Sequence, residues 1–67
     1  MKWKQVPSNS YALLSDCGCY SVCKAGGANG VMRYEAWRTA KHPEGRKLLM
    51  PNLPDAQTAK TLCEGDR

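Results

Sequence analysis

Residues 31–39 read VMRYEAWRT, and this stretch decides the fold because its side chains have the two-residue period of a β-strand. Successive side chains of a strand point to opposite faces of the sheet. The apolar face, which is expected to face the core, holds Met32, Tyr34 and Ala36. The other face holds Arg33, Glu35 and Trp37. A tryptophan beside an arginine is typical of a recognition surface.

Turn signals divide the rest of the chain into further strands. Four segments rich in Gly, Pro, Asn, Asp and Ser are predicted turns or loops: residues 7–10, 16–18, 26–30 and 41–45. The segments between them are predicted strands: a short opening strand with Trp3, then residues 11–15, 19–24, 31–39 and 48–50. Short connections between neighbouring strands favour an antiparallel meander.

The pattern changes to that of a helix after the PNLP segment at residues 51–54. Asp55 suits the N-cap, Gly65 suits the stop, and the predicted helix runs to about Glu64. Its apolar side holds Ala56, Ala59, Leu62 and Cys63. Its polar side holds Gln57, Lys60, Thr61 and Glu64. A helix of about ten residues is marginal alone and must pack on the sheet.

The predicted fold class is therefore α+β, an antiparallel β-meander of four to five strands with one C-terminal α-helix packed on one face. Residues 1–67 are expected to form a single small domain. One helix covers one face of such a sheet and leaves the other to water or to a partner. Trp37 then has two possible positions: on this open face, or folded over the sheet edge to complete a minor core.

The small size of the chain argues against catalysis. A chain of this length buries only about 60% of its unfolded surface and has little area for a deep cleft. His42 is the only histidine, and no cysteine is placed near it by local sequence. The carboxylates form no acid/base pair, and the glycine-rich segment 26–30 lacks the context of a phosphate loop. We expect no enzymatic activity and no cofactor.

The formal net charge of +4 is concentrated in one segment. Residues 33–47 carry Arg33, Arg38, Lys41, Arg46 and Lys47 against Glu35 and Glu44. Such a surface suits nucleic acid or an acidic protein, or it is simply solvated. The predicted partner-binding residues are Arg33, Glu35, Trp37, Arg38, Lys41, Arg46 and Lys47. Tyr20 and Tyr34 are expected in the core, which leaves Trp37 as the one of these three rings that is expected to be exposed for stacking on bases.

Four cysteines raise the question of a metal site, at Cys17, Cys19, Cys23 and Cys63. Four thiolates suit tetrahedral zinc, but paired Cys-x₂₋₄-Cys turns are the usual arrangement. On one strand Cys19 and Cys23 lie about 13 Å apart, too far for one ion without a bend. The favoured interpretation is that Cys63 is a small apolar core residue and that Cys23 meets it there. Zinc is the less favoured alternative.

The opening residues 1–7 lack the apolar core of a signal peptide. No apolar run is long enough to span a membrane. The chain is therefore expected to stay in a reducing cytosol, where disulfides are rare.

Four stretches define the layout of the chain: an opening strand with Trp3, CGCYSV at 17–22, YEAW at 34–37 and AQTAKTLC at 56–63. In this layout the chain resembles small orphan proteins encoded by tailed bacteriophages and prophages. The resemblance covers most of the chain, and its motifs are structural, so it implies no catalytic residue.

The resemblance implies a non-enzymatic inhibitor that binds and occludes a bacterial defence complex, as anti-CRISPR proteins do, or a regulatory complex. The implied partner is a host protein or ribonucleoprotein complex in the bacterial cytoplasm, with no membrane involved. The chain would act as a monomer or as a homodimer paired through an open sheet edge. The basic residues support an alternative, a small nucleic-acid-binding accessory protein.

Overall fold

The computed structural model describes residues 2–7, 9–26, 30 and 32–66. Its elements are β1 (Trp3–Val6), β2 (Asn9–Ser15), β3 (Tyr20–Gly26), β4 (Met32–Arg38), β5 (Lys47–Leu53) and α1 (Ala56–Gly65). The five strands form one sheet in chain order, each antiparallel to the next. The predicted α+β meander with a C-terminal helix is confirmed. Residues 27–29 of the predicted loop, and Val31 of the predicted strand, lie outside the described residues.

The β3–β4 hairpin sets the two faces of the sheet. Its register runs without a shift from Tyr20 opposite Arg38 to Gly26 opposite Met32. Paired residues share a face, and faces alternate along each strand. Val22 and Ala36 therefore lie on one face, and Ser21 and Trp37 lie on the other.

The core lies between α1 and the face that carries Val22, and α1 packs on β3, β4 and β5. Its buried members are Tyr20, Val22, Ala36, Leu53, Ala59 and Cys63. Ala36 and Ala59 have no exposed surface; their short side chains let the helix backbone approach the sheet closely. Ala56 and Leu62 pack against this cluster, so the predicted apolar side of the helix is confirmed.

The prediction that Met32 of β4 faces the core is wrong. Tyr34 and Ala36 do pack in the core, but Met32 is 41% exposed. Met32 pairs with Gly26 at the far end of the hairpin. A glycine has no side chain to cover its neighbour, so Met32 stays in contact with water.

Both ends of α1 are capped as a short helix requires. The Asp55 carboxylate accepts hydrogen bonds from the backbone N–H of Thr58 at 2.7 Å and from the Thr58 hydroxyl at 2.8 Å. The pKa of Asp55 is lowered mainly by the backbone bond. At the other end the N–H of Asp66 reaches the carbonyls of Leu62 and Cys63, both at 3.1 Å. The predicted helix start is confirmed, and the helix ends one residue beyond the prediction, at Gly65.

Strand β5 continues to Leu53, so the predicted break after residue 50 is wrong. The strand is an edge strand, where the missing N–H of Pro51 costs no sheet hydrogen bond. Its register against β4 shifts twice, and Asn52 has a φ of 59°. The opposite edge, β1, has four residues and a shift of its own between Gln5 and Val6. Short, irregular edges discourage pairing with a second sheet, which does not favour the predicted homodimer.

Candidate protein-binding face

The face of the sheet opposite α1, termed here the open face, carries side chains from all five strands. The register places on it Lys4, Leu14, Ser21, Cys23, Arg33, Glu35, Trp37 and Leu48. Trp37 lies in the interior of the sheet, paired with Ser21 on one side and Leu48 on the other. Of the two predicted positions for Trp37, the structure therefore has the one on the open face.

The indole of Trp37 is half-buried and held from two directions. Its Nε1–H donates to Oε1 of Glu35 at 3.2 Å, a contact that the two-residue period of the strand makes possible. The guanidinium carbon of Arg46 lies 5.0 Å from the ring centroid, within the range of a cation–π contact. These two contacts fix the orientation of the ring.

A cleft of about 230 Å³ lies beside this ring. It is lined by Ser21, Cys23, Trp37, Arg38, Thr39, Ala40 and Arg46. Pockets for small ligands usually measure about 300–1,000 Å³. The cleft suits a single side chain of a partner protein better than it suits a metabolite.

The structure divides the predicted partner-binding residues between several surfaces. Arg33, Glu35, Trp37 and Arg46 come together on the open face. Lys47 pairs with Arg38 and shares its face, on the side of α1. The alkyl chain of Lys41 lies against the turn at Gly18. Its Cδ is 3.1 Å from the position that a Cβ atom of residue 18 would occupy.

Arg38 is engaged by acidic side chains of its own chain. Its Nε and Nη2 donate to the two carboxylate oxygens of Asp66 at 2.8 and 2.9 Å, and its Nη1 donates to Glu44 at 2.9 Å. The Arg38 side chain is only 15% exposed. Its charge is neutralised locally, so it contributes little to a surface potential.

Asp66 is the centre of a polar network on the helix face. The hydrogen bond from Arg38 is the main reason that its pKa is lowered from 3.8 to about 2. The Tyr20 hydroxyl donates to the same carboxylate at 3.0 Å. Burial, followed by this bond, raises the pKa of Tyr20. The network ties the end of α1 to the first residue of β3.

His42 belongs to the same network. Its Nδ1 accepts from the backbone N–H of Glu44 at 3.1 Å, and its Nε2 lies 3.3 Å from the Tyr20 hydroxyl. The two rings meet edge to face at 5.5 Å.

The predicted meeting of Cys23 and Cys63 in the core is wrong. Cys63 lies on the side of α1 that packs on the sheet and is fully buried, whereas Cys23 alternates with the buried Val22 and therefore lies on the open face. Within the described part of the chain, no three His, Cys, Asp or Glu side chains gather as a metal ion would need. The arrangement also keeps two aromatic residues from stacking on bases, because Tyr20 is buried and Tyr34 packs in the core.

Sequence reasoning missed two features of the open face. It treated Arg46 as one charge of a basic segment, whereas Arg46 stacks on Trp37; that contact depends on the path of the preceding loop. It also assigned no role to Leu48, which pairs with Trp37, or to Leu14, which pairs with Ser21 on the same face. Leu13 packs against the core, so the alternation of side chains along β2 is the signal that places Leu14 on the open face.

Comparison of the chain with protein-family models, with curated proteins and with solved structures gave no match. Among the described residues, no helix is both long enough and apolar enough to cross a membrane.

Proposed function

We propose that this chain is a non-enzymatic protein-binding domain that uses the open face to occlude a surface of its partner. The observation that carries this proposal is the placement of Trp37 in the middle of an uncovered sheet face, fixed by Glu35 and Arg46 beside a cleft of side-chain size. Tryptophan and arginine are the residues most enriched among those that dominate binding energy.

The fixed indole supports an anchor role for an entropic reason. Immobilising a mobile side chain on binding costs about 0.5–1.5 kcal/mol. Trp37 already has its orientation set by a hydrogen bond and by the guanidinium of Arg46, so little of this cost remains. Leu48 supplies apolar surface next to it, and Leu14 supplies more beyond Ser21 on the same face.

The charge of the open face favours an acidic partner surface. Arg33 is exposed on this face, Arg46 lies over the ring, and Lys4 extends the positive charge to β1. Glu35, the acidic residue among those that define the open face, is already bound by Trp37 Nε1. Complementary charge accelerates association and sets orientation more than it adds affinity.

The resemblance to phage orphan proteins supports a more specific form of the proposal. The partner is then a host defence complex of the kind that anti-CRISPR proteins block, or a regulatory complex, and the binding takes place in the bacterial cytoplasm. The domain acts as a monomer, because both sheet edges are irregular.

The test begins with purification of the tagged chain from a bacterial lysate, with and without nuclease. A discrete protein that co-elutes in near-stoichiometric yield and survives nuclease is then titrated against three variants. We expect Trp37→Ala to weaken binding at least about tenfold and Arg33→Gln to slow association. Lys47→Gln, the matched control on the other face, should bind as the wild type does.

A protein partner whose affinity is unchanged by Trp37→Ala would contradict the assignment of the open face. Circular dichroism and a thermal melt of each variant separate loss of contact from loss of fold.

The second candidate function is binding of single-stranded nucleic acid through the same face. The observation in its favour is a partly exposed aromatic ring next to Arg46, with Arg33 on the same face, since bases stack on such rings and phosphates attract arginine. Affinity would then fall steeply with salt because bound counterions are released from the phosphates. Recovery of nucleic acid alone, lost on nuclease treatment, would favour this candidate over the first.

A further inference from the structure

The turn between β2 and β3 holds two thiols that the proposed function does not use. Cys17 is exposed, and Cys19, two residues along the chain, is partly buried. The remaining thiols are elsewhere: Cys23 lies on the open face, and Cys63 is buried in the core with its pKa raised to about 11 by that burial.

The hydroxyl of Ser15 lies beside the sulfur of Cys17. Ser15 Oγ accepts the backbone N–H of Tyr20 at 3.1 Å and lies 3.3 Å from Cys17 Sγ, so its hydroxyl hydrogen is available to a thiolate at Cys17. Ser15 is 4% exposed, which protects this arrangement from water. A donor aimed at sulfur favours the thiolate. The pKa of Cys17 is lowered, first by Ser15 and then by a backbone hydrogen bond from Cys19.

Cys19 has the opposite surroundings. Its sulfur lies 3.9 Å from the carbonyl oxygen of Cys17 and 3.7 Å from that of Lys41. Carbonyls accept from a protonated thiol and repel a thiolate. Burial is the main cause that raises the pKa of Cys19. The contact with the Cys17 carbonyl places the Cys19 sulfur beside Cys17.

The spacing of the two cysteines in the chain is compatible with a disulfide between them. A disulfide requires Cα atoms about 4.4–6.8 Å apart, and residues two apart in a turn fall below the fully extended length of about 7 Å. Gly18 has a φ of +78°, which a glycine adopts without strain. The turn itself is held by hydrogen bonds from Gly18 N–H to the Ser15 carbonyl at 3.0 Å and from Thr39 N–H to the Cys19 carbonyl at 2.8 Å.

We propose that Cys17 and Cys19 form a redox-active dithiol that undergoes exchange with low-molecular-weight disulfides such as oxidised glutathione. The Cys17 thiolate attacks one sulfur of the disulfide, a Cys17 mixed disulfide forms, and one thiolate leaves and takes up a proton. Cys19 then loses its proton and attacks the sulfur of Cys17, which releases the second small thiol. The protein loses two hydrogens and gains one S–S bond, and the small disulfide becomes two thiols.

Lys41 favours this class of reactant. Its ammonium group lies by the turn, 3.6 Å from where a Gly18 Cβ would be. Oxidised glutathione carries carboxylates, which a nearby cation attracts. The dithiol and the open face are separate sites on the molecule.

The test exposes the reduced protein to oxidised glutathione at neutral pH, quenches with acid and an alkylating reagent, and maps each cysteine by mass spectrometry. We expect the wild type to form a Cys17–Cys19 disulfide without a lasting glutathione adduct. Cys19→Ser should trap one glutathione on Cys17. Cys17→Ser should react about tenfold more slowly, and Cys23→Ser, the matched control, should react as the wild type does.

A second measurement tests the role of Ser15 as a positioning residue. The alkylation rate of Cys17 against pH should shift to higher pH in Ser15→Ala and return toward the wild-type profile in Ser15→Thr. A merely structural role would leave the pH profile unchanged. Alkylation of the wild type alone should label Cys17 first, which keeps the proposal testable even if a variant fails to fold.

Three results would overturn the proposal. They are a lasting glutathione adduct on wild-type Cys17, reaction of Cys23 at the rate of Cys17, and no adduct on Cys19→Ser.

Discussion

The two faces of this sheet are built from alternate residues of the same strands, yet they differ in what covers them. On β4, Ala36 has no exposed surface beneath α1, while its neighbour Trp37 on the open face remains partly exposed. The small side chain lies where two backbone layers approach, and the large ring lies where no layer covers it. The space between the sheet and α1 therefore limits the size of side chains on the helix face. On the open face a large side chain fits and remains accessible for contact.

The largest expected loss of stability comes from adding side-chain volume on the helix face. Ala36→Leu adds three carbons between β4 and α1, and we expect the free energy of unfolding to fall by about 1–3 kcal/mol. Ala25→Leu, on β3 and on the open side, is the matched control and should change stability by less than about 0.5 kcal/mol. Urea denaturation of both variants measures the difference. Equal losses would mean that the open face is packed as tightly as the core.

The two tryptophans give the next largest contrast. Trp3 packs against the core cluster on the helix face, so Trp3→Ala should lower the free energy of unfolding by about 2 kcal/mol, less than for a fully buried tryptophan. Trp37→Ala should cost less than about 1 kcal/mol, because Trp37 keeps part of its ring in water. Chemical denaturation monitored by far-ultraviolet circular dichroism compares them without relying on tryptophan fluorescence. The reverse order would place Trp37 among the residues that hold the fold together.

A smaller effect is expected from the ion pair that closes the helix face. Asp66→Asn removes the carboxylate that Arg38 and Tyr20 both contact, and we expect a loss of about 1 kcal/mol at neutral pH. Because the pKa of Asp66 is lowered from 3.8 to about 2, the stabilisation is fully present above the unfolded value and is lost as the pH falls through the folded value.

The pH dependence supplies the measurement. The gap in urea midpoint between wild type and Asp66→Asn should be widest at pH 7 and should close as the pH approaches 2. Glu44→Gln is the control, since Glu44 also binds Arg38 but is 71% exposed and should contribute less. A gap that persists at low pH would show that the amide disrupts packing rather than charge.

The smallest effect concerns the open face alone. Arg46→Gln removes the guanidinium above the Trp37 ring, a contact worth about 0.5 kcal/mol at an exposed site. We expect almost unchanged stability but easier acrylamide quenching of Trp37, measured in a Trp3→Phe background. Lys47→Gln should leave quenching unchanged. Unaltered quenching in Arg46→Gln would mean that the arginine does not shield the ring.

Much of the fold follows from local patterns in the sequence. Alternation along residues 31–39 predicted that Ala36 faces the core and that Trp37 is on the opposite side of the strand, but it left open whether Trp37 stays on the open face or folds over the sheet edge. Helical spacing predicted burial of Ala59 and Cys63. The same alternation indicates that Cys23 and its neighbour Val22 lie on opposite faces of the sheet. The prediction that Cys23 meets Cys63 in the core did not take this into account. Pro51 was interpreted as the end of a strand, although an edge strand tolerates proline.

The site was harder to predict because its geometry depends on contacts between distant residues. Arg38 was grouped with the basic surface, yet it binds Asp66, which lies 28 positions along the chain. No local pattern signals such a pair. Arg46 follows the loop between β4 and β5 and contacts Trp37 from there, and loop paths are not encoded by periodicity.

The order of the strands also bears on how the chain folds. Each strand pairs with the one before it in the sequence, so closing each hairpin fixes little chain and incurs a small loss of entropy. The longest chain loop is closed when the helix docks on the sheet, because this brings Asp66 to Tyr20 across 46 residues. Proteins dominated by local contacts fold quickly. We therefore expect the sheet to assemble from successive hairpins and α1 to dock last, so that the two faces become different only at the final step.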